Sequence, residues 1–128
     1  MIYVDSSVVL AELFAEDDLP APRFWRGPLV SSRLLEYEVW NRVHARNLGV
    51  RYANDTRSLL RAIQLIEMEP TVLARAVRPL PVHVRTLDAL HLATVEYLRE
   101  QGQTIELATY DRRLAAAAGA LGIGLAAL

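Results

Sequence analysis

Two residue types are missing from this 128-residue chain: there is no cysteine, and all 14 basic residues are arginine. Without cysteine, disulfides and cysteine zinc sites are excluded. Without lysine there is no Walker lysine, no Schiff-base lysine and no lysine partner for an aspartyl-phosphate site. A GC-rich genome accounts equally well for an all-arginine chain. The formal charge is only -1, so nucleic-acid affinity must come from local arginine clusters. The longest run free of charged or polar side chains, Leu114 to Leu128, holds three glycines and is too short to span a bilayer. Met1 to Asp5 lacks the basic start of a signal peptide. These absences read as a cytoplasmic protein with no membrane segment. There is no low-complexity linker or 20–50 residue repeat, no H-E-x-x-H and no G-x-S-x-G elbow. Gly122-Ile123-Gly124 comes too late for a dinucleotide-binding helix to follow it.

What is present suits a folded domain. Hydrophobic residues make up 52% of the chain, and its length matches one domain, residues 1–128. Ile2-Val4 reads as a buried strand ending at Asp5. Val8 to about Ala15 reads as a helix with Ser6 or Ser7 as N-cap. Leu29-Ser31 is a second strand. Ser32 to about Asn47 is a long helix, with Leu35, Val39 and Val43 on its apolar stripe and Gly49 as its stop. Arg51 to Arg61 is an arginine-rich helix that makes a projecting hairpin with it. Tyr37, Trp40 and Tyr52 are then either a contact surface or packing. A strand is expected over Ile63 to Met68 and a short helix over Thr71 to Val77. Thr86 to Glu100 reads as a helix capped by Thr86. Ile105-Thr109 is a strand, Arg112 to about Leu121 a helix, and Gly122-Leu125 a last short strand. The alternation predicts an α/β fold: a central, mostly parallel sheet covered by helices on both faces.

That architecture gives meaning to four acids. Asp5 and Asp111 both follow strands at strand-to-helix turns, Asp88 lies in the first turn of a helix, and Glu38 lies in the second turn of another. All four are expected at the carboxyl edge of the sheet, where open α/β folds bind ligands. Each also has an ordinary explanation. Asp111 makes a plain N-cap, Asp88 suits a helix dipole, and Glu38 pairs with Arg42 at i, i+4. Asp5 is harder to dismiss, because Ser6 and Ser7 already supply caps. Clustered carboxylates stay ionised together only beside a cation, and all-oxygen sites suit Mg2+ or Mn2+. Such ions serve phosphodiester chemistry. Ser7 and Thr109 flank the strand-end acids and either orient metal waters or, for Ser7, cap the helix. His91 follows Asp88 by one turn; it is either a hydrogen-bond partner for a carboxylate or a satisfied helix histidine. His44 and His83 lie at unrelated places.

The stretches Ile2-Tyr3-Val4-Asp5-Ser6-Ser7, Ser32 to Glu38, Leu87-Asp88-Ala89-Leu90-His91-Leu92-Ala93 and Ala108-Thr109-Tyr110-Asp111-Arg112-Arg113-Leu114 together resemble the PIN-domain family. The likeness is to VapC-like ribonuclease toxins of toxin–antitoxin pairs, and it spans essentially the whole chain. The resemblance implies a PIN-like three-layer α/β/α sandwich. It implies an acidic quartet of Asp5, Glu38, Asp88 and Asp111 binding Mg2+ or Mn2+, with Glu36 as a rival for the second acid. It also implies hydrolysis of RNA to a 5′-phosphate and a 3′-hydroxyl, a homodimer or larger complex, and a small antitoxin that blocks the site. Arg33, Arg85, Arg112 and Arg113 lie near the acids in sequence and are candidates for holding RNA phosphates, or are solvated surface arginines. The alternative function is a non-catalytic PIN-like module that binds a protein partner.

Overall fold

Successive residues of a strand point to opposite faces of its sheet, and here both faces are buried. A computed structural model describes residues 1–128. Its strands are β1 (Ile2–Val4), β2 (Leu29–Ser32), β3 (Ile63–Ile66), β4 (Glu106–Ala108) and β5 (Gly124–Leu125). Its helices are α1 (Ser6–Leu13), α2 (Leu34–Ala45), α3 (Gly49–Arg61), α4 (Pro70–Ala76), α5 (Thr86–Glu100) and α6 (Arg112–Ala120). Val4, Leu29, Ile63 and Ala108 face one core, shared with Val8 and Val9 of α1, Leu35, Val39 and Val43 of α2, and Leu60 of α3. Their strand neighbours Tyr3, Val30 and Leu107 face the other, shared with Leu92, Val95 and Leu98 of α5 and Leu114, Ala117 and Ala118 of α6. The result is the expected α/β/α sandwich. Near-continuous apolar strands are what a sheet buried on both faces requires.

The sheet runs in the order β3-β2-β1-β4-β5, and every pairing is parallel. The chain therefore builds outward from β1 in one direction, then returns to add β4 and β5 on the other side. A crevice opens at such a reversal, at the carboxyl ends of the two strands concerned. Those strands are β1 and β4. Val4 is in register with Ala108, and the Asp5 N–H donates to the Ala108 carbonyl at 3.0 Å. The segments that follow β1 and β4 thus leave the sheet side by side.

Several boundaries differ from the sequence reading. Gly49 does not stop α2; it begins α3. The turn is made instead by Asn47 at φ +55°, a left-handed conformation that asparagine tolerates. Ser32 belongs to β2, and its Oγ accepts from the Leu34 N–H at 3.1 Å at the start of α2. The hairpin of α2 and α3 has a fully exposed tip at Val50, while its shaft lies along α1. Tyr52 meets the Phe14 ring edge-on at 5.6 Å, and both Trp40 and Tyr52 pack against the α1-side core. Tyr37 alone of the three aromatics is exposed, at 62%. No helix is long and apolar enough to cross a membrane.

Candidate active site

Asp5 caps α1, a task the sequence reading assigned to Ser6 or Ser7. Its backbone is extended, and its Oδ2 accepts from the Ser7 N–H at 3.3 Å; both serines lie inside the helix. The same oxygen accepts from Ser7 Oγ at 2.6 Å and from Thr109 Oγ1 at 2.8 Å. Ser7 Oγ in turn accepts from the Tyr110 N–H, and Thr109 Oγ1 from the Asp111 N–H, each at 2.9 Å. The two hydroxyls therefore lace the turn after β1 to the turn after β4. They are committed to fixing Asp5. Asp111 is a cap as well: Oδ1 accepts from the N–H groups of Arg113 and Leu114 at 2.8 and 3.2 Å. Capping and facing the crevice are not alternatives at either acid.

Glu38 is held from behind. Its Oε1 bonds to His91 Nε2. His91 Nδ1 lies 2.7 Å from the Tyr3 hydroxyl, which accepts from the Ser32 N–H at 3.1 Å. Tyr3 and His91 are both buried. In the neutral state this chain has one consistent proton arrangement: Tyr3 donates to Nδ1, and Nε2–H donates to Glu38. Burial raises the Tyr3 phenol well above its ordinary pKa and keeps it a donor. Burial alone would lower the His91 pKa, but the hydrogen bond and charge of Glu38, with Asp5 and Asp88 adding, raise it on balance. The carboxylate that His91 serves thus comes from α2, not from Asp88 one turn away.

Asp88 lies in the first turn of α5, which starts at Thr86 with Arg85 at the cap position and no side-chain cap. Thr86 is therefore not the cap. Arg85 spans two acids, with Nε 3.4 Å from Asp88 Oδ2 and Nη2 3.0 Å from Asp111 Oδ2. Burial raises the Asp88 pKa, opposed by Arg85 and reinforced by the charges of Asp111 and Asp5.

Asp5, Glu38, Asp88 and Asp111 all line one cleft of about 510 Å³, together with Ser7, Tyr37, Asn41, Arg42 and Arg85. The other candidates lie outside it. Glu36, the rival second acid, pairs with Arg33 at 3.0 Å, and Arg33 also reaches Glu67 at 2.7 Å. That arginine is neutralised beside a different pocket. Arg112 and Arg113 do not line the cleft. Of the four predicted phosphate holders only Arg85 does. Sequence reasoning missed Asn41 and Arg42. Their spacing from Glu38 was the available signal, since i+3 and i+4 share a helix face. The expected Glu38–Arg42 ion pair does not form, which leaves Arg42 without a carboxylate.

The donor set is chemically suited to a hard divalent cation, being all carboxylate oxygen. Asp5 Oδ1, Glu38 Oε2 and Asp88 Oδ1 make no hydrogen bond within the protein, and Asp111 Oδ2 meets only Arg85. Asp5, Glu38 and Asp88 thus each keep one uncommitted oxygen, while that of Asp111 is taken by Arg85. The acids are not drawn together, however: no three of them stand close enough to hold one ion. Arg85, with a side chain 64% exposed, is the positive charge between Asp88 and Asp111.

A family model described as PIN domain matches residues 2–120. Ribonuclease VapC46 of Mycobacterium tuberculosis is 36% identical over 130 residues, covering 98% of this chain and 96% of that protein.

Proposed function

The chain belongs to the PIN-domain family, and from that premise we propose that it is an endoribonuclease, the toxin of a toxin–antitoxin pair. Its cofactor is Mg2+ or Mn2+, and its ligands are Asp5, Glu38, Asp88 and Asp111. The observation that carries the reading is that four carboxylates from four separate elements line one cleft, in a relative of a named ribonuclease. When bound, the divalent cation supplies Lewis acidity to a phosphate oxygen and acidifies a water.

The chain's own groups have distinct tasks. Ser7 and Thr109 hold Asp5 by one oxygen and turn the other into the cleft. His91 and Tyr3 do the same for Glu38. Asp111 is held by its helix. Arg85 pairs with Asp88 and Asp111; with a cation held by those acids it would be displaced toward the cleft mouth, where it would meet an RNA phosphate. The partners of this reading are RNA, a small antitoxin protein and a second copy of the chain, in the cytoplasm.

The test is cleavage of a fluorescent RNA with Mn2+ or Mg2+, expected to stop with EDTA and with Asp5→Asn. Cleavage that persists under either treatment sinks the mechanism. One observation favours the second reading, a non-catalytic protein-binding module: Arg85 bridges the acids and no preformed ion site exists. Under that reading calorimetry finds no Mn2+ binding, and Asp5→Asn binds the partner like the wild type.

A further inference from the structure

The acid cleft does not end at Asp111. A second cavity of about 250 Å³ adjoins it and shares Ser7, Leu10, Arg42 and Asp111. Arg42 and Arg46 form one lip of this extension. They lie four residues apart on α2, a separation of about 6 Å along the axis, comparable with that of adjacent phosphates in a single strand. Both are exposed, and neither has a carboxylate partner. The Arg46 guanidinium lies over the Phe14 ring, 4.2 Å from its centroid, which holds it in place without neutralising it. Arg33, Arg57 and Arg61 of the same stretch line a different pocket, so Arg42 and Arg46 are the cations of this extension. The opposite lip is different. It consists of Tyr110 and Glu16, with Asp17 and Asp18 beyond them around Tyr110.

A groove with one cationic lip and one acidic lip orients a polyanion. We infer that the extension is the track of a single-stranded RNA leading into the acid cleft, with Arg42 and Arg46 holding consecutive phosphates. The acidic lip repels the backbone, so the bases turn toward Tyr110, whose ring accepts stacking without a fixed sequence preference. Arg42 lines both cavities, which makes it the hinge between strand binding and the reacting phosphodiester. The inference rests on the ribonuclease reading for its choice of nucleic acid, but its test is separable from catalysis.

The experiment measures binding of a fluorescein-labelled 12-nucleotide single-stranded RNA by anisotropy in EDTA, where no turnover occurs, across a salt series. R42A/R46A is compared with wild type and with R26A, whose arginine precedes β2 at the opposite edge of the sheet. The double variant is expected to bind about tenfold more weakly at low salt, with a log–log salt slope smaller by about 0.7 for each phosphate that is no longer neutralised. R26A is expected to match wild type. With Mn2+ present, R42A/R46A should raise KM much more than it lowers kcat. Equal binding and equal salt slopes in wild type and R42A/R46A overturn the inference and leave the catalytic reading intact. RNA binding that needs both arginines, in a protein that never cleaves RNA with Mn2+ or Mg2+, supports the track and removes the catalytic reading. If R42A/R46A loses only a co-expressed antitoxin and keeps its RNA affinity, the lip belongs to the protein partner and the inference fails.

Discussion

Asp5 is both a helix cap and a candidate metal ligand, and two substitutions separate the roles. In Asp5→Ala the N-cap is lost, at a cost of about 1 kcal/mol. The hydroxyls of Ser7 and Thr109, now 2.6 and 2.8 Å from Oδ2, lose their acceptor, at about 1 kcal/mol each in a part-buried place. The sum is about 3 kcal/mol, or about 10 °C in Tm for a domain of this size. In Asp5→Asn the amide carbonyl takes the place of Oδ2 and accepts all three bonds, while the NH2 takes the place of Oδ1, which makes none. What is lost is charge: the stronger ionic bonds and the interaction with the α1 N-terminus. What is gained is relief from the charges of Asp88 and Asp111 across the cleft. The net change is expected to stay under about 1 kcal/mol. Both variants should lose Mn2+-dependent RNA cleavage. Thermal melts in EDTA, read beside a cleavage assay, distinguish the roles. An Asp5→Asn protein as unstable as Asp5→Ala refutes the hydrogen-bond account, and a folded Asp5→Asn that still cleaves refutes the metal role.

Other perturbations test neighbouring parts of the site. Because Glu38 helps to raise the His91 pKa, the stability this pair adds is fully present below the ordinary histidine range and is lost as pH rises through the folded value. The wild-type Tm in EDTA should therefore fall more steeply than that of Glu38→Gln as pH rises from below to above the ordinary histidine value of about 6.5; parallel curves would refute the coupling. Arg85→Ala removes the cation that bridges Asp88 and Asp111, so calorimetry should find Mn2+ bound several-fold more tightly. Weaker binding would mean that Arg85 organises the acids. The exposed position of Arg85 limits the stability change to about 1 kcal/mol. Ala15 ends α1 at φ +48°, a conformation costing a non-glycine residue about 1–2 kcal/mol. Ala15→Gly should raise Tm by a few degrees in a thermal melt, and a loss of stability would count against that strain.

Much of this protein was legible locally. The strand–helix alternation, the parallel sheet, the two strand-end acids and the position of Asp88 in a first turn follow from periodicity and turn chemistry, which act between residues close in the chain. What misled was also local. Ser6 and Ser7 look like caps, yet Asp5 outcompetes them because its carboxylate sits at the cap position with the extended backbone that capping requires. Arg33 and Arg113 look like phosphate ligands by adjacency to acids. One is consumed by Glu36 and Glu67, and the other lies off the cleft.

Composition and pattern by themselves determined which chemistry the chain can attempt: oxygen ligands, arginine cations, no thiol and no lysine. Only the tertiary structure decided which of those groups share a space. The strand order puts β1 beside β4, though about a hundred residues separate them in the chain. That pairing brings Asp5 to Thr109 and Asp111. The packing of α2 and α5 over opposite faces, meeting at the carboxyl edge, brings Glu38 to His91 and turns Arg42 into the cleft. Such contacts depend on which strands neighbour one another, and no residue spacing within a single element encodes that.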